Sequence, residues 1–481
     1  MKKTSAWLAL IPVSVLVILI VIGSVLFGDD LTAGPSQIAL LVATVVGALI
    51  AMFRQKISWE KLEEGIADNF SKSGGVFFIL LSIGALTSAW MLSGVVPTLI
   101  YYGLQMINPS IFLLVIFIFT ALISLILGSS WTTIGTIGIA MLSAGEIMGF
   151  NSGWLAGAII SGAYFGDKVS PLSDTTVLAS SSAGTPLFTH IRFMMVTTVP
   201  SFVISLVIFL IVSLIHKSPD AAVVADISHD LKSAFNISPW LLLVPVITAL
   251  LIVKKVSAIV TLFIAAFIAG ITALFFQPHI ISAVANEGMM GTSSGLTFVE
   301  GFKGLFITYY GSTAIDTGNI ALNELVATRG MTGMLATVFL IIAAGTFGGT
   351  LVGSGMLQSL TEMLTRFISR RVSMVASTVG TGVMANMVTG DQYLSIILTS
   401  SLYKDLYEKR GYESKLLSRS VEDSATVVSV LIPWNSCGMT QATVLKVPTI
   451  DYLPYCFFNI LSPLMSVFVA AIGYKIKRIS K

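Results

Sequence analysis

The chain has 481 residues, of which 55% are hydrophobic and only 11% are charged, and its net charge is +3. An ordinary soluble domain has about 25% charged residues, so this composition excludes a soluble enzyme and a disordered chain, and the small net charge excludes a nucleic-acid binder. Cys437 and Cys456 both lie in apolar stretches and indicate neither a disulfide framework nor a metal-ligand spacing. The composition is typical of an all-α polytopic membrane protein.

Apolar segments with the length of membrane helices, or somewhat less, follow one another along the chain. The first, residues 7–27, is too long for the apolar core of a signal peptide and has no small-residue cleavage site after it, so we interpret it as a span. The further segments are 36–53, 74–100, 111–127, 131–150, 154–181, 193–215, 240–253, 256–276, 331–357, 372–389, 393–403, 421–445 and 454–474.

Two pairs of neighbouring segments are too short for each member to cross alone, since a crossing helix needs about 20 residues. Residues 111–150 form one pair around a polar tip at 128–130, and residues 372–403 form the other around a polar tip at 390–392. We predict that each pair is a re-entrant helical hairpin that enters and leaves on the same side. The tips must then lie against protein or water, because non-helical backbone is not tolerated in lipid.

The positive charges support this topology. Two hairpins and about ten full crossings place both termini in the cytoplasm, and all but six of the 27 Lys and Arg residues then fall in cytoplasmic loops, as the positive-inside rule requires. The six are Lys168, which is predicted to lie within the membrane, and Lys217, Lys232, Lys303, Arg329 and Lys446, which are predicted to lie outside. The expected location is the cytoplasmic membrane.

The two halves of the chain match each other weakly in sequence. An offset of 261 places 129–131 on the second tip at 390–392, and an offset of 262 places Pro171 on Pro433 and Asp174 on Ser436. Because the first half begins inside and the second outside, we predict two inverted-topology repeats, a design of secondary transporters whose site lies near the membrane midplane. The predicted units are a first repeat at 1–215, a linker at 216–239 and a second repeat at 240–481, with an outside insertion at 277–330 that has a short amphipathic helix near 298–310.

Each half also contains a span that we predict to be broken at a proline. In 154–181, Pro171 removes an N–H group and frees carbonyls of the preceding turn, and these join the Ser170, Ser173 and Thr175 hydroxyls as hard oxygen ligands that suit a small cation. Asp174 follows this break, so its carboxylate is a candidate ligand.

Asp167 precedes the first break and could pair with its neighbour Lys168. A buried ion pair that only fixes helix packing is the alternative for these two residues. The second break, in 421–445, is neutral but rich in oxygen, with Asn435 and Ser436 after Pro433.

Further polar groups lie at the hairpin tips and at the start of 421–445. The second tip has a carboxylate, Asp391, and if the halves face one cavity then Asp167, Asp174 and Asp391 all lie near it. Glu422 and Asp423 are either vestibule carboxylates or acids at a solvated helix N-terminus. The first tip is neutral, and its hydroxyls suit an organic carboxylate; they belong to Ser129, Ser130, Thr132 and Thr133.

Several function classes can be compared on these features. The sequence has no G-x-x-x-x-G-K-[ST] motif, which argues against a pump driven by ATP, and a channel pore is more often built from symmetric subunits. An intramembrane aspartyl protease is a remote alternative because of the Gly-Asp dipeptides at 166–167 and 390–391, but no Tyr-Asp dipeptide exists and Val388 replaces the first glycine of G-x-G-D. A secondary transporter accounts for the repeat, the breaks and the acids together.

Three motifs in order, at 166–176, 389–393 and 422–438, resemble the NhaC family of Na+/H+ antiporters over nearly the whole chain. The resemblance implies the fold of the ion transporter superfamily, with two re-entrant hairpins and two broken helices. The same family includes Na+-lactate/malate-proton exchangers of the MleN type, and no residue pattern separates the two groups here. The long insertion at 277–330 is the departure from the family pattern.

The resulting hypothesis is Na+/H+ exchange by competition at buried carboxylates, in a protein that is not an enzyme and needs no cofactor. Na+ is predicted to bind at Asp174 with Ser170, Ser173 and Thr175, and Asp391 is predicted to be a second ligand or the proton carrier. Asn435 and Ser436 would complete the oxygen shell. Lys168 with Asp167 would form a pH-sensitive pair.

Overall fold

The computed structural model describes residues 6–27, 34–106, 108–215, 221–254, 256–286, 296–316, 323, 326–365, 368 and 370–476. Within these ranges the regular structure is helical, apart from one isolated antiparallel bridge between Thr313 and Thr328. The all-α prediction is confirmed. The helices of the first half are α1 (Ala6–Phe27), α2 (Pro35–Leu49), α3 (Trp59–Leu92), α4 (Val95–Met106), α5 (Phe112–Leu127), α6 (Ser130–Thr133), α7 (Ile139–Ile147), α8 (Ser152–Val169), α9 (Asp174–Ser182) and α10 (Leu187–Ile215).

The second half continues in the same way. Its helices are α11 (Ala221–Ala234), α12 (Leu243–Val253), α13 (Ala258–Phe276), α14 (Pro278–Ala285), α15 (Phe298–Tyr310), α16 (Leu335–Gly353), α17 (Met356–Thr365), α18 (Arg371–Thr389), α19 (Gln392–Lys409), α20 (Ser414–Val421), α21 (Ser436–Leu445), α22 (Thr449–Tyr452) and α23 (Phe457–Ile472). Short π-helical turns are at Ile50–Arg54, Ile134–Gly138 and Glu422–Thr426.

Seven helices among the described residues are long and apolar enough to cross a membrane, and nine spans result if each of two bent pairs counts as one. Six of the seven coincide with predicted crossings, and the seventh, Arg371–Thr389, is an arm of the second predicted hairpin. The bent pairs correspond to the predicted crossings at 240–253 and 454–474. The other two predicted crossings are the broken helices, which are interrupted in the structure.

Both hairpins turn in the same way at their tips. Gly128 ends α5 and Gly390 ends α18, each in the left-handed region with φ of 66° and 65°. Glycine adopts this conformation without the steric cost that a Cβ atom brings. The next residue then starts the returning helix, because Ser129 accepts a hydrogen bond from Thr132 N–H and Asp391 accepts one from Leu394 N–H.

These tips correct the register predicted for the repeat. Gly128 matches Gly390 and Ser129 matches Asp391, so the offset at the tips is 262 rather than 261. The same offset relates Ser173 to Asn435, whose side chains cap the helices that follow the two breaks. Local geometry therefore repeats between the halves, while the inverted orientation of the two repeats stays a prediction.

The long helix α3 packs closely against α16 through glycines. A Cβ atom on Gly65 would lie 2.7 Å from the carbonyl oxygen of Gly349 and 2.8 Å from Cα of Gly353, so the two backbones are in direct contact. Asn69 Nδ2 then donates to the carbonyl oxygen of Gly345 at 2.7 Å. This contact places α3 and α16 beside the second hairpin tip.

The described part of the insertion at 277–330 packs against the spans instead of standing apart from them. Gly301 faces Leu274, while the Tyr309 hydroxyl donates to the carbonyl oxygen of Ala266, so α15 runs antiparallel along α13. Farther along, Gly330 N–H donates to Ser88 Oγ in α3 at 2.9 Å. The helix predicted near 298–310 exists, and most of its large apolar side chains are exposed.

Candidate functional site

The first broken helix stops at Val169 and resumes at Asp174. Ser173 caps the new helix by accepting from Thr176 N–H at 3.3 Å, and Thr176 Oγ1 donates to the carbonyl oxygen of Lys168 at 3.0 Å. The break therefore satisfies part of its own freed backbone, as membrane-buried breaks must. The hydroxyls of Ser170, Ser173 and Thr175 are all buried at this point.

Asp167 connects this break to the first hairpin tip. Its Oδ2 accepts from Ser130 twice, from the backbone N–H at 3.1 Å and from the hydroxyl at 2.7 Å. The residue is only 5% exposed, and its buried Oδ1 has no hydrogen-bond partner in the part of the chain that the structure describes. A buried acceptor without a donor is costly, so this oxygen is available to a proton or a cation.

Asp174 does not have the burial that the sequence predicted. It is exposed, and its Oδ2 accepts from the Tyr393 hydroxyl at 2.7 Å. The expectation of sequestration is wrong for this carboxylate because the first residue of α9 projects away from the core, with exposed Pro171 and Leu172 just before it. Its contact with Tyr393 nevertheless joins the first break to the second hairpin.

The second group of predicted ligands lies around Asp391, which is only 6% exposed. Its Oδ1 accepts from Leu394 N–H at 2.8 Å, and Ser436 N–H donates to the carbonyl oxygen of Gly390 at 2.8 Å. Asn435 contacts this hairpin through its Nδ2, which donates to Asn386 Oδ1 at 3.0 Å. Asp391 also lines a small cavity whose other walls include Asn69, Phe70, Ile341, Gly345 and Thr389.

The hydrogen bonds connect the predicted oxygen ligands within two groups. The first surrounds Asp167 and Asp174, and the second contains Asp391, Asn435 and Ser436. Tyr393 lies between them, because its hydroxyl contacts Asp174 and its position is two residues after Asp391. The two halves are thus interleaved at the site.

The hydroxyls of the first tip are already used within the protein. Ser129 Oγ accepts from the N–H and the hydroxyl of Thr132, Thr133 Oγ1 donates to the carbonyl oxygen of Ser129, and Ser130 donates to Asp167. An organic carboxylate would have to replace these bonds.

The predicted pairing of Lys168 with Asp167 is wrong. Lys168 instead forms an ion pair with Asp423, which also accepts from Thr197 Oγ1 at 3.1 Å, and both members of the pair are fully buried. The reason is helical geometry: consecutive residues project in directions about 100° apart, so two adjacent side chains do not face each other.

Glu422 and Asp423 occupy neither of the two predicted environments. Both are fully buried within a π-helical turn, so they line no open vestibule and start no solvated helix. Around them the structure adds two residues that the sequence did not single out. Arg419 Nε is 3.8 Å from Asp423 Oδ2, and His190 Nε2 is 3.9 Å from Glu422 Oε2.

Only part of this cluster had a signal in the sequence. Arg419 and Asp423 are four residues apart, the spacing of a helical ion pair. His190 is 228 residues from its nearest polar partner, Ser418, and no local pattern connects them.

Interrupted helices, hairpin tips and buried acids that meet inside a polytopic helical protein define the class of secondary active transporters. The chain can be placed more closely by comparison. Residues 3–185 and 162–474 match the sequence model of the Na+/H+ antiporter family. This protein belongs to that family, and the resemblance predicted from its motifs is confirmed.

Three relatives match most of this chain. The Na+/H+ antiporter NhaC of Bacillus subtilis is 36% identical over 85% of this chain and 87% of its own. The malate-2H+/Na+-lactate antiporter of the same organism is 34% identical over 89% of this chain and 87% of its own. The arginine/ornithine antiporter ArcD of Halobacterium salinarum is 31% identical over 98% of this chain and 93% of its own. All three are antiporters by name, which supports a transporter rather than the aspartyl protease alternative.

Proposed function

We propose that this protein exchanges Na+ for H+ across the cytoplasmic membrane by competition of the two cations at buried carboxylates. Family membership supports the exchange reaction, and NhaC of B. subtilis is named for it. The observation that supports the site is the buried Oδ1 of Asp167, which finds no hydrogen-bond partner among the described residues and lies where a hairpin tip meets a broken helix.

The competition follows from the cost of burying a charge. An ionised carboxylate out of water is unfavourable unless a cation or a proton neutralises it. Asp167 can hold either one, but the second cannot bind while the first is present, so entry of Na+ from one side expels a proton. Hard oxygen ligands suit Na+, and Ser170, Ser173 and Thr175 supply buried hydroxyls at the break.

Asp174 and Asp391 have different roles in this scheme. Asp174 is exposed and lies at the open end of the first group, where it meets the arriving cation before Asp167 does. Asp391, buried against Asn435 and Ser436, is the second ion- or proton-binding carboxylate. We also place both termini in the cytoplasm. The lipid bilayer surrounds the spans, and no nucleic acid takes part in this scheme.

A second candidate is Na+-coupled exchange of lactate or malate with protons. It is favoured by the 34% identity to the malate-2H+/Na+-lactate antiporter. Against it, the hydroxyls of the first tip already bind within the tip or to Asp167. Adding either acid to proteoliposomes separates the two: Na+/H+ exchange that ignores both acids supports the simple antiporter, and strict dependence supports the alternative.

The test of the site uses inverted membrane vesicles with an imposed pH gradient. Wild-type protein should dissipate the gradient when Na+ is added, and Asp167→Asn and Asp391→Asn should each abolish this response at wild-type expression. Asp405→Asn, at an exposed position of α19, is the matched control and should behave as wild type. Wild-type rates from both buried variants would remove these carboxylates from the mechanism.

A further inference from the structure

A buried cluster of ionisable side chains lies beside the proposed ion site and has no role in the competition of Na+ and H+ at its carboxylates. His190 on α10 and Glu422 in the π-helical turn are both fully buried. Among the described residues, His190 Nε2 and both carboxylate oxygens of Glu422 have no hydrogen-bond partner, although Nε2 and Oε2 are only 3.9 Å apart.

The hydrogen bond on the other side of the imidazole determines its tautomer. His190 Nδ1 lies 2.9 Å from Ser418 Oγ. That hydroxyl has one hydrogen, and the carbonyl oxygen of Lys415, 3.2 Å away, is an acceptor for it. With the hydrogen placed there, Ser418 accepts from the ring, Nδ1 carries the imidazole hydrogen, and a neutral His190 presents the lone pair of Nε2 to Glu422.

Two bare acceptors then face each other inside the protein. A proton on either atom turns this contact into an attractive one, O–H···N or N–H···O, and a closure of about 1 Å gives normal hydrogen-bond length. The arrangement therefore calls for one shared proton.

The surrounding charges act in the opposite direction. Lys168 and Arg419 are cations and Asp423 is an anion. With an ionised Glu422 and a neutral His190, the charges of these five side chains sum to zero, and binding of one proton makes the sum +1. Hydrogen bonding favours the proton and charge balance favours its loss, so the pair is able to exchange it. The charged and titratable groups around the pair are Lys168, Asp167, Lys415, Arg419, Asp423, Tyr407 and, beyond Asp167, Asp174.

We propose that His190 and Glu422 form a proton-binding site of their own, separate from the carboxylates that compete for Na+, and that its occupancy modulates exchange. The effect on transport rests on the proposed function. Lys168 is the connection, because its charge acts on both residues and its carbonyl oxygen accepts from Thr176 at the first break. His190 and Glu422 are thus positioning residues that act on the break through Lys168.

The first test is the pH profile of exchange by the full-length protein in proteoliposomes. Glu422→Gln and His190→Gln should each move the pH of half-maximal exchange by about one unit or more. The KM for Na+ at the optimum should stay within about twofold, because neither residue touches the ion. Glu422→Asp, which retains an acid, should restore most of the pH dependence. His229→Gln and Glu408→Gln, at exposed positions, are the matched controls.

The second test needs neither transport nor a tolerated substitution at Glu422. In ¹⁵N-imidazole NMR of the purified protein, with His190 assigned by difference from His190→Gln, Nδ1 should carry a fixed hydrogen and the Nε2 signal should titrate. A fixed hydrogen on Nε2 at every pH, or profiles of both variants that superimpose on wild type, would overturn the proposal. If wild-type vesicles show no Na+-dependent proton movement, the proposed function fails, and the imidazole signals still decide on the pair.

Discussion

The contact between Ser130 and Asp167 leads to the most direct quantitative prediction. Ser130→Ala removes the 2.7 Å hydroxyl hydrogen bond to Asp167 Oδ2 and leaves the 3.1 Å backbone bond in place. A hydrogen bond to a charged group contributes roughly 1.5–3 kcal/mol. Losing this bond raises the free energy of the ionised carboxylate and leaves the protonated form unchanged. Since about 1.36 kcal/mol corresponds to one pH unit, the pH at which protons compete with Na+ should rise by about one to two units.

Half-maximal Na+/H+ exchange by Ser130→Ala should accordingly require a pH higher by that amount. The assay is dissipation of an imposed pH gradient in inverted vesicles on Na+ addition, repeated across pH at one fixed Na+ concentration below saturation. Ser130→Thr retains the hydroxyl and should remain near wild type. Thr136→Ala removes a buried hydroxyl six residues farther on, which donates to the backbone carbonyls of Thr132 and Thr133, and it should not move the profile. An unchanged profile in Ser130→Ala, or an equal shift in Thr136→Ala, would refute the reasoning.

Three further predictions concern stability and charge. Asp391→Asn should abolish exchange, yet its free energy of unfolding in detergent should stay within about 0.5 kcal/mol of the wild-type value, because Asn caps a helix as well as Asp does. A large loss of stability would contradict this. Asp423→Asn leaves the buried ammonium of Lys168 without its counter-ion and should lower the free energy of unfolding by about 3–5 kcal/mol in the same measurement. Adding Lys168→Met to the Asp423→Asn chain should restore most of this stability. Gly128→Ala should destabilise more than Gly184→Ala, since a Cβ atom at Gly128 meets backbone at 2.7 Å, whereas the one at Gly184 meets only a lysine side chain at 3.5 Å; equal melting temperatures would argue against the tip contact.

Much of the architecture could be predicted from local sequence, because its causes are local. A run of about 20 apolar residues forms a span wherever it occurs, a glycine can adopt the left-handed turn at a hairpin tip, and a proline without an N–H interrupts a helix. The tips at Gly128 and Gly390 and the break after Val169 lie where these rules placed them. Even the acids of the site, Asp167 and Asp391, stand out as carboxylates in apolar segments.

The partners of those acids were decided by the tertiary structure alone. Asp167 binds Ser130, 37 residues away, and Lys168 binds Asp423, 255 residues away, although Asp167 and Lys168 are adjacent in the chain. The sequence determines which residues a helix contains, and successive side chains then project about 100° apart around the helix axis. Only packing against distant helices decides which residues each side chain contacts. The same packing exposes Asp174 and buries Glu422, two environments that a count of neighbouring apolar residues cannot distinguish.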